Sequence, residues 1–162
     1  MAERLGLDAS EVMALLAETF PQAGSNFEIA RLSPRRVLLW SSTSEGQLRP
    51  GATVSGPAQF GLLDLAAYVL VLANVGRAEL AVTSHASINF LARPRVGPIA
   101  VTGELLKLGR SLVVTACSLW RPRPGQSEAP GLAAAGGGDG GWPDPDEGWV
   151  RLASGEFTYS LV

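Results

Sequence analysis

The chain has 162 residues, of which 46% are hydrophobic and 17% charged, and its formal net charge at pH 7 is −2. These values predict one globular domain with a sizeable core, and the slight apolar excess favours an oligomer with buried interface. The chain has no Lys or Arg run, which argues against nucleic acid or an anionic membrane as a partner. The single Cys117 and the single His85 exclude a disulfide framework and the familiar zinc patterns, so no metal site is expected.

The N-terminal part of the chain predicts a short helix followed by two strands. Residues 8–20 place apolar side chains on one face, and either Asp8 or Ser10 could cap this helix. Strands are predicted at Phe27–Leu32 and 36–42, joined by a Ser-Pro-Arg turn. The first residues have neither a basic start nor an apolar run, so we expect no signal peptide and a cytoplasmic location.

The central segment predicts one long apolar helix at Gly56–Val75, entered through Ser55-Gly-Pro. Such an entrance presents free backbone N–H groups and the positive end of the helix dipole. Asp64 lies two turns inside this helix among apolar neighbours, where a carboxylate is costly unless it is paired or used. Gln59 and Asp64, together with the absence of a cationic N-terminal flank, argue against a membrane span.

The second half of the chain predicts four antiparallel strands at 81–90, 99–108, 111–120 and 149–161. In the first of them the alternation puts Val82, Ala86, Ile88 and Phe90 on one face, and Thr83, His85, Ser87 and Asn89 on the other. Residues 121–148 are rich in Pro, Gly, Ala and Ser, which predicts a flexible insertion before the last strand. One apolar helix and one sheet can cover each other only if the sheet curls, and a second copy of the chain would cover the rest of the helix.

Three segments together resemble the hotdog-fold thioesterases, and among these the PaaI-like acyl-CoA thioesterases: 55–64, Ser-Ile-Asn-Phe-Leu-Ala-Arg-Pro at 87–94, and Leu-Leu-Lys-Leu-Gly-Arg at 105–110. The resemblance runs over 51–120 and again over 149–161. It implies an α+β hotdog fold, a curled antiparallel β-sheet wrapped around one long central helix. The whole chain, 1–162, would form a single domain, with an N-terminal helix in 1–24.

The family's His-Gly-Gly motif at the helix entrance corresponds here to Ser55, Gly56 and Pro57, and the carboxylate nine residues after the motif His corresponds to Asp64. The motif His is therefore absent, and Pro57 has no N–H to donate. The resemblance further implies a Ser or Thr near the carboxylate on the following strand. This residue would be Thr83, or Ser84 if the register differs by one.

The spacing of the two motif residues predicts a site shared between two chains. Gly56 and Asp64 are eight residues apart, roughly 12 Å along a helix, so one chain cannot place both on one thioester. Two antiparallel helix copies can, which gives two sites per dimer. In this hypothesis the Gly56 amide stabilises the oxyanion, Asp64 acts as general base or as nucleophile, and Thr83 orients the water or the carboxylate.

The remaining candidates are assigned to substrate binding. Coenzyme A is expected only as part of the substrate, with no separate cofactor. The acyl part and the thioester would contact Ser55, Pro57, Gln59, Phe60, Leu63, Tyr68 and Ser84. The CoA nucleotide would contact the cations near turns, which are Arg93, Arg95, Lys107 and Arg110.

Two other interpretations stay open at this stage. The chain could be a non-catalytic acyl-CoA or lipid-binding module, which the missing His and Pro57 favour and the retained Asp64 disfavours. Asp64 could also be a structural residue bonded to a Tyr or to backbone. A hydratase would need a His in the site, and His85 lies in the wrong segment. The acyl group, and the choice between a dimer and a dimer of dimers, are left open.

Overall fold

The computed structural model describes residues 4–23, 26–43, 48–125 and 142–162. Two α-helices and eight strands follow one another in the described chain, joined in places by 3-10 turns at Pro21–Ala23 and Pro145–Glu147. In chain order they are α1 (Ala9–Thr19), β1 (Phe27–Leu32), β2 (Arg36–Thr43), β3 (Leu48–Arg49), β4 (Thr53–Val54), α2 (Gly56–Val75), β5 (Val82–Phe90), β6 (Gly97–Leu108), β7 (Leu112–Pro122) and β8 (Trp149–Ser160).

Six strands form one antiparallel sheet in the order β1-β2-β6-β7-β8-β5, and β3 pairs with β4 in a separate small ladder. The sheet wraps around α2, which contacts β2, β5, β6, β7 and β8. This arrangement confirms the expected α+β hotdog architecture. Within the described residues β1 and β5 form its two edges, so β5 has a described sheet neighbour on one side only.

The boundaries of α2 follow from its terminal residues. The Ser55 side chain caps the N-terminus, Pro57 occupies the first turn, and Gly76 ends the helix with a φ of 96°. By length and composition α2 could cross a bilayer, but 61% of its most apolar 18-residue stretch is buried inside this fold. Residues 66–73 are buried on every side of the helix, whereas the first half leaves Pro57 and Phe60 exposed.

The N-terminal helix α1 packs on α2. Asp8, one of the two predicted caps, closes a capping box with Glu11. Val12, Leu15 and Leu16 are buried in the same core cluster as α2. This packing extends the core beyond the sheet and places Phe20, the residue after α1, against Tyr68 in the second half of α2.

Two irregularities break the alternation that the sequence predicts. In β5 the pairing with β8 shifts between Thr83 and His85, so Thr83 points to the helix side of the sheet together with Ala86. The predicted assignment of Thr83 to the opposite face is therefore wrong. A second shift, where β7 meets β8, puts Trp149 on the outer face of the sheet with Trp120.

Described structure extends into both ends of the predicted insertion at 121–148, which the composition did not indicate. β7 continues to Pro122, and residues 142–148 pack on the outer face of the sheet. Trp142 lies under the Arg36 guanidinium at 4.1 Å from the ring centre, and the Arg123 N–H donates to the Gly148 carbonyl. The rest of the segment, 126–141, lies outside the described residues.

Candidate active site

The carboxylate of Asp64 is held by two hydroxyl groups from different strands. Its Oδ1 atom accepts hydrogen bonds from Thr83 Oγ1 and from the Tyr159 hydroxyl, each at 2.8 Å. The Tyr159 hydroxyl also lies 3.3 Å from the Asp64 backbone carbonyl. Asp64 itself is half-buried on the third turn of α2. The structure thus brings Asp64 and Thr83 together, as the resemblance implied.

The bulge in β5 decides between the two candidates on that strand. Because of the bulge, β5 has one more residue than β8 between Thr83 and His85. Thr83 pairs with Tyr159 on the helix side of the sheet, and Ser84 is the extra residue. The Ser84 hydroxyl donates instead to the Thr158 carbonyl at 3.2 Å. Thr83 is therefore the residue beside the carboxylate, and Ser84 is not.

Tyr159 is a member of this cluster that the sequence analysis missed. Its side chain is 3% exposed and stacks on Tyr68, with ring centres 5.8 Å apart. Burial raises the pKa of Tyr159 far above its ordinary value, and the nearby Asp64 carboxylate adds to the effect. The phenol therefore remains protonated and can donate throughout the neutral range.

The Asp64 cluster opens into a cleft of about 340 Å³ between α2 and the segment at 20–23 that follows α1. Phe20, at the end of α1, contacts Tyr68 edge to face at 6.3 Å and forms one wall of the cleft. The lining is mostly apolar, as a site for an acyl group requires. It comprises Phe20, Gln22, Ala23, Ala58, Gly61, Leu62, Asp64, Leu65, Tyr68 and Tyr159.

The N-terminus of α2 opens into a different cleft, of about 400 Å³. Gly56 lies in it as the first helical residue, so its N–H has no acceptor within the helix. Ser55 accepts from the Ala58 N–H at 3.3 Å and therefore acts as the helix cap. The same cleft contains Phe90 and two arginines, Arg49 and Arg93. Arg49 was not a candidate from the sequence, since no motif in the segment before α2 includes it.

Gln59 is the one buried amide in this second cleft. It is 4% exposed, and its Nε2 donates to the Val54 carbonyl at 3.1 Å, which fixes the side chain to the strand before the helix. Its Oε1 atom is buried and has no partner within the described chain. Gln59 thus stays beside Gly56, as predicted, but the geometry gives it a clear structural contact only with Val54.

The other predicted residues are distributed over several parts of the chain. Phe60 is 38% exposed and contacts Phe157 edge to face at 5.5 Å, whereas Leu63 is completely buried in the core and lines neither cleft. Arg93 and Arg95 precede β6, and Arg95 forms a bridge with Thr53 before α2. Lys107 and Arg110 lie at the other end of β6, in the exposed hairpin to β7. One chain therefore does not gather the four cations at one site.

Each motif residue thus belongs to its own cleft. Among the described residues, no lining residue is common to the cleft at Gly56 and the cleft at Asp64. Nor does the described chain hold three or more His, Cys, Asp or Glu side chains grouped for a metal ion. The chemistry available here is a hydrogen-bonded carboxylate at one cleft and a helix N-terminus at the other.

Comparisons with known proteins identify the family to which this chain belongs. The family model described as the thioesterase superfamily matches residues 51–128. A candidate thioesterase from a Silicibacter species is 32% identical with a TM-score of 0.73, over 100% of this chain and 96% of its own. The chain therefore belongs to the thioesterase superfamily. No curated protein sequence matches it.

Two further solved structures share the fold. Zebra fish thioesterase superfamily member 2 is 19% identical with a TM-score of 0.70, over 96% of this chain and 99% of its own. A hypothetical thioesterase protein from Streptococcus pneumoniae, solved with coenzyme A, is 16% identical with a TM-score of 0.64, over 96% of this chain and 97% of its own. At these identities the likeness concerns the fold alone.

Proposed function

We propose that the chain is a PaaI-like acyl-CoA thioesterase that hydrolyses an acyl-CoA to the free acid and CoA. The observation that carries this proposal is the Asp64 carboxylate, held by Thr83 and Tyr159 at a mostly apolar cleft. A purely structural Asp could make the same bond to Tyr159. It would not need an open apolar cleft beside it, and a pure lipid-binding protein gains nothing from a carboxylate near a neutral acyl chain.

The reaction needs only this carboxylate, a backbone N–H and water. Asp64 takes a proton from water while the water oxygen bonds to the thioester carbon, and the carbonyl electron pair moves onto oxygen. The Gly56 N–H, at the positive end of α2, stabilises that oxyanion. When the carbonyl re-forms, the C–S bond breaks and the proton passes from Asp64 to the CoA sulfur. Direct attack by Asp64, through a mixed anhydride, is the other route open to the same groups.

We propose further that two copies of the chain complete each site. Pro57, Phe60, Gly61 and Asp64 form one incompletely covered stripe on α2, at the i, i+3, i+4 and i+7 spacing of a single helix face. The midpoint between Gly56 and Asp64 in the sequence is Phe60, so antiparallel helices that cross there would place each Asp64 opposite the partner's helix entrance.

The sheet edge supports the same assembly. β5 lacks a neighbour on one side, and its end residues Val82 and Phe90 are more than half exposed, as are the adjoining Leu80 and Leu91. Exposed apolar edge strands of this kind are pairing surfaces. Pairing of β5 with a second β5 would bring the two α2 helices side by side.

The CoA moiety is assigned to the cleft at Gly56. Arg49 and Arg93 line it and supply the cations that phosphate groups require, while the Asp64 cleft offers apolar side chains for the acyl group. The coenzyme A held by the Streptococcus pneumoniae protein, which shares the fold, supports a CoA ester as the ligand class. CoA serves as part of the substrate.

The test is release of free CoA thiol from short, long and aryl acyl-CoAs by the wild type and by Asp64→Asn. We expect turnover on one class and a loss of about 10²–10⁴-fold in kcat in the variant, the range for removing a general base. Acyl-CoA binding, measured by calorimetry, should persist. Asp8→Asn is the matched control, because Asn also caps helices and Asp8 lies outside both clefts. Binding without turnover in the wild type would instead identify an acyl-CoA-binding module.

A further inference from the structure

Both hydrogen-bond donors to the Asp64 side chain meet the same oxygen. Thr83 and Tyr159 each donate to Oδ1 at 2.8 Å, and across the described residues no donor reaches Oδ2. A carboxylate has two equivalent oxygens in water, and here the protein makes them different. The oxygen without a donor is the one free to meet water or substrate at the cleft.

We infer that Tyr159 is a positioning residue, which together with Thr83 commits Oδ1 to hydrogen bonding and leaves Oδ2 as the oxygen that reacts. This inference rests on the proposed thioesterase function and deepens it, because it assigns the proton transfer to one atom. In the general-base route the proton of the attacking water goes to Oδ2 and later returns from Oδ2 to the CoA sulfur. Oδ1 keeps its two donors throughout.

Tyr159 is itself held in place by its neighbours. Its ring stacks on Tyr68 with an angle of 18° between the planes, and the Tyr68 hydroxyl donates to the Glu79 carbonyl at 3.0 Å. Both rings are therefore fixed before substrate arrives. A fixed donor can hold the carboxylate in one rotamer, and small errors of orientation at a reacting group are costly in rate.

The donor keeps its proton over the whole range in which an esterase is assayed. Burial raises the pKa of Tyr159 and of Tyr68, and burial also raises the pKa of the Cys117 thiol to about 12. These are the titratable groups facing Asp64 from β8, α2 and β7. On β5 the imidazole of His85 is exposed, and Glu79 lies behind Tyr68. Tyr159, Tyr68 and Cys117 therefore stay protonated beside the Asp64 carboxyl throughout the neutral range.

The test is Tyr159→Phe, which removes the hydroxyl and keeps the ring. We expect kcat to fall about tenfold with KM unchanged, since the lost hydrogen bond concerns the carboxylate and not the substrate. In carboxyl-carbon NMR the Asp64 resonance, assigned with Asp64→Asn, should titrate at higher pH, because the charged form loses a donor. The exposed His85 is followed separately through its ring protons.

Two further variants make the NMR result specific. Tyr68→Phe removes the hydroxyl bound to Glu79 and should leave the Asp64 titration at its wild-type position, although Tyr68 lines the cleft. 3-Fluorotyrosine at 159 is a stronger donor of nearly the same shape, so it should move the titration to lower pH. This substitution also tests the inference if Tyr159→Phe does not fold.

An unchanged Asp64 titration in both Tyr159 variants would overturn the inference. A shifted titration with an unchanged kcat would do so as well, since Tyr159 would then bind the carboxylate without positioning it for reaction. The titration needs no substrate. If the wild type hydrolyses no acyl-CoA, the proposed function fails, and the NMR result still decides whether Tyr159 controls the Asp64 carboxyl.

Discussion

Three weak acids are buried around Asp64, and each is harder to ionise than in water. Burial raises the pKa of Cys117 from 9.0 to about 12, and it raises the pKa of Tyr159 and of Tyr68 above the ordinary 10.0. In the unfolded chain the same groups would ionise near their ordinary values. The folded state therefore binds protons more tightly than the unfolded state in alkaline solution.

This difference predicts a loss of stability at alkaline pH. The contribution of Cys117 is fully present below pH 9, where the unfolded thiol is still protonated, and is lost as pH rises toward about 12. Urea unfolding between pH 8 and 11 should therefore give a falling free energy of unfolding. Cys117→Ala should have a flatter dependence than the wild type over this range. Equal slopes in the two proteins would show that the thiol is not protected by burial.

The residues of the site differ in how far sequence can predict them. Gly56 and Asp64 could be named as candidates because a motif at the start of α2 sets their positions by resemblance, whereas the resemblance left Thr83 and Ser84 as alternatives on the following strand. Tyr159 could not, because it meets Asp64 from 95 residues away in the chain. The sequence of β8 shows only an alternation of apolar residues, and this pattern predicts Tyr159 to be an ordinary core side chain. Contacts of this length depend on the register of the sheet, which local pattern does not determine.

At the scale of elements, α1 contributes to the Asp64 cleft as well as to the core. Phe20, which caps the C-terminus of α1, contacts Tyr68 and forms part of the cleft wall. The periodicity of residues 8–20 predicted this helix, and its apolar face indicated that the helix packs against another element of the fold. The pattern could not show that the packing partner is α2, beside Tyr68.

We expect Phe20→Ala to change which acyl group is accepted. Loss of the ring enlarges the cleft, so bulky acyl groups should fit better. The ratio of kcat/KM for a bulky acyl-CoA to kcat/KM for a short one should rise about 10-fold, the usual discrimination of an apolar pocket. Thiol release from the same acyl-CoA panel measures this ratio. Glu18→Ala is the control, since that side chain is exposed on the same helix and makes only a surface ion pair with Arg77. A ratio unchanged by Phe20→Ala would place the acyl group elsewhere.

The positions of β5 to β8 along the chain were predictable, but the bulge in β5 was not. Alternating apolar residues mark where β5 to β8 run, and the Gly109-Arg110 turn fixes the β6–β7 hairpin. The bulge at Thr83 leaves no mark in the alternation, because a single extra residue reverses the facing direction without changing composition. That one residue decides whether a hydroxyl meets Asp64.

At the scale of the molecule, the proposed site is divided between two separate clefts of the single chain. The Gly56 half has the helix entrance and two arginines, and the Asp64 half has the carboxylate and an apolar wall. A symmetric dimer with antiparallel α2 helices would join each half to the other half of its partner. The sequence already predicted this from helix geometry, and the open stripe on α2 supplies the surface that such a dimer needs.

Active-site complementation tests this arrangement directly. Asp64→Asn removes the carboxylate, and Gly56→Pro removes the N–H at a position where proline fits, because it is the first residue of the helix and Ser55 is already extended. Each variant alone should be inactive. Mixed in equal amounts after dissociation and reassociation, half of the dimers pair one variant with the other, and each such dimer regains one intact site of two. The mixture should then recover about a quarter of wild-type activity.

If each chain carried a complete site, the mixture would stay as inactive as its components. Mixing Asp64→Asn with wild type through the same steps controls for activity lost during dissociation and reassociation, since the specific activity should equal the average of the two proteins.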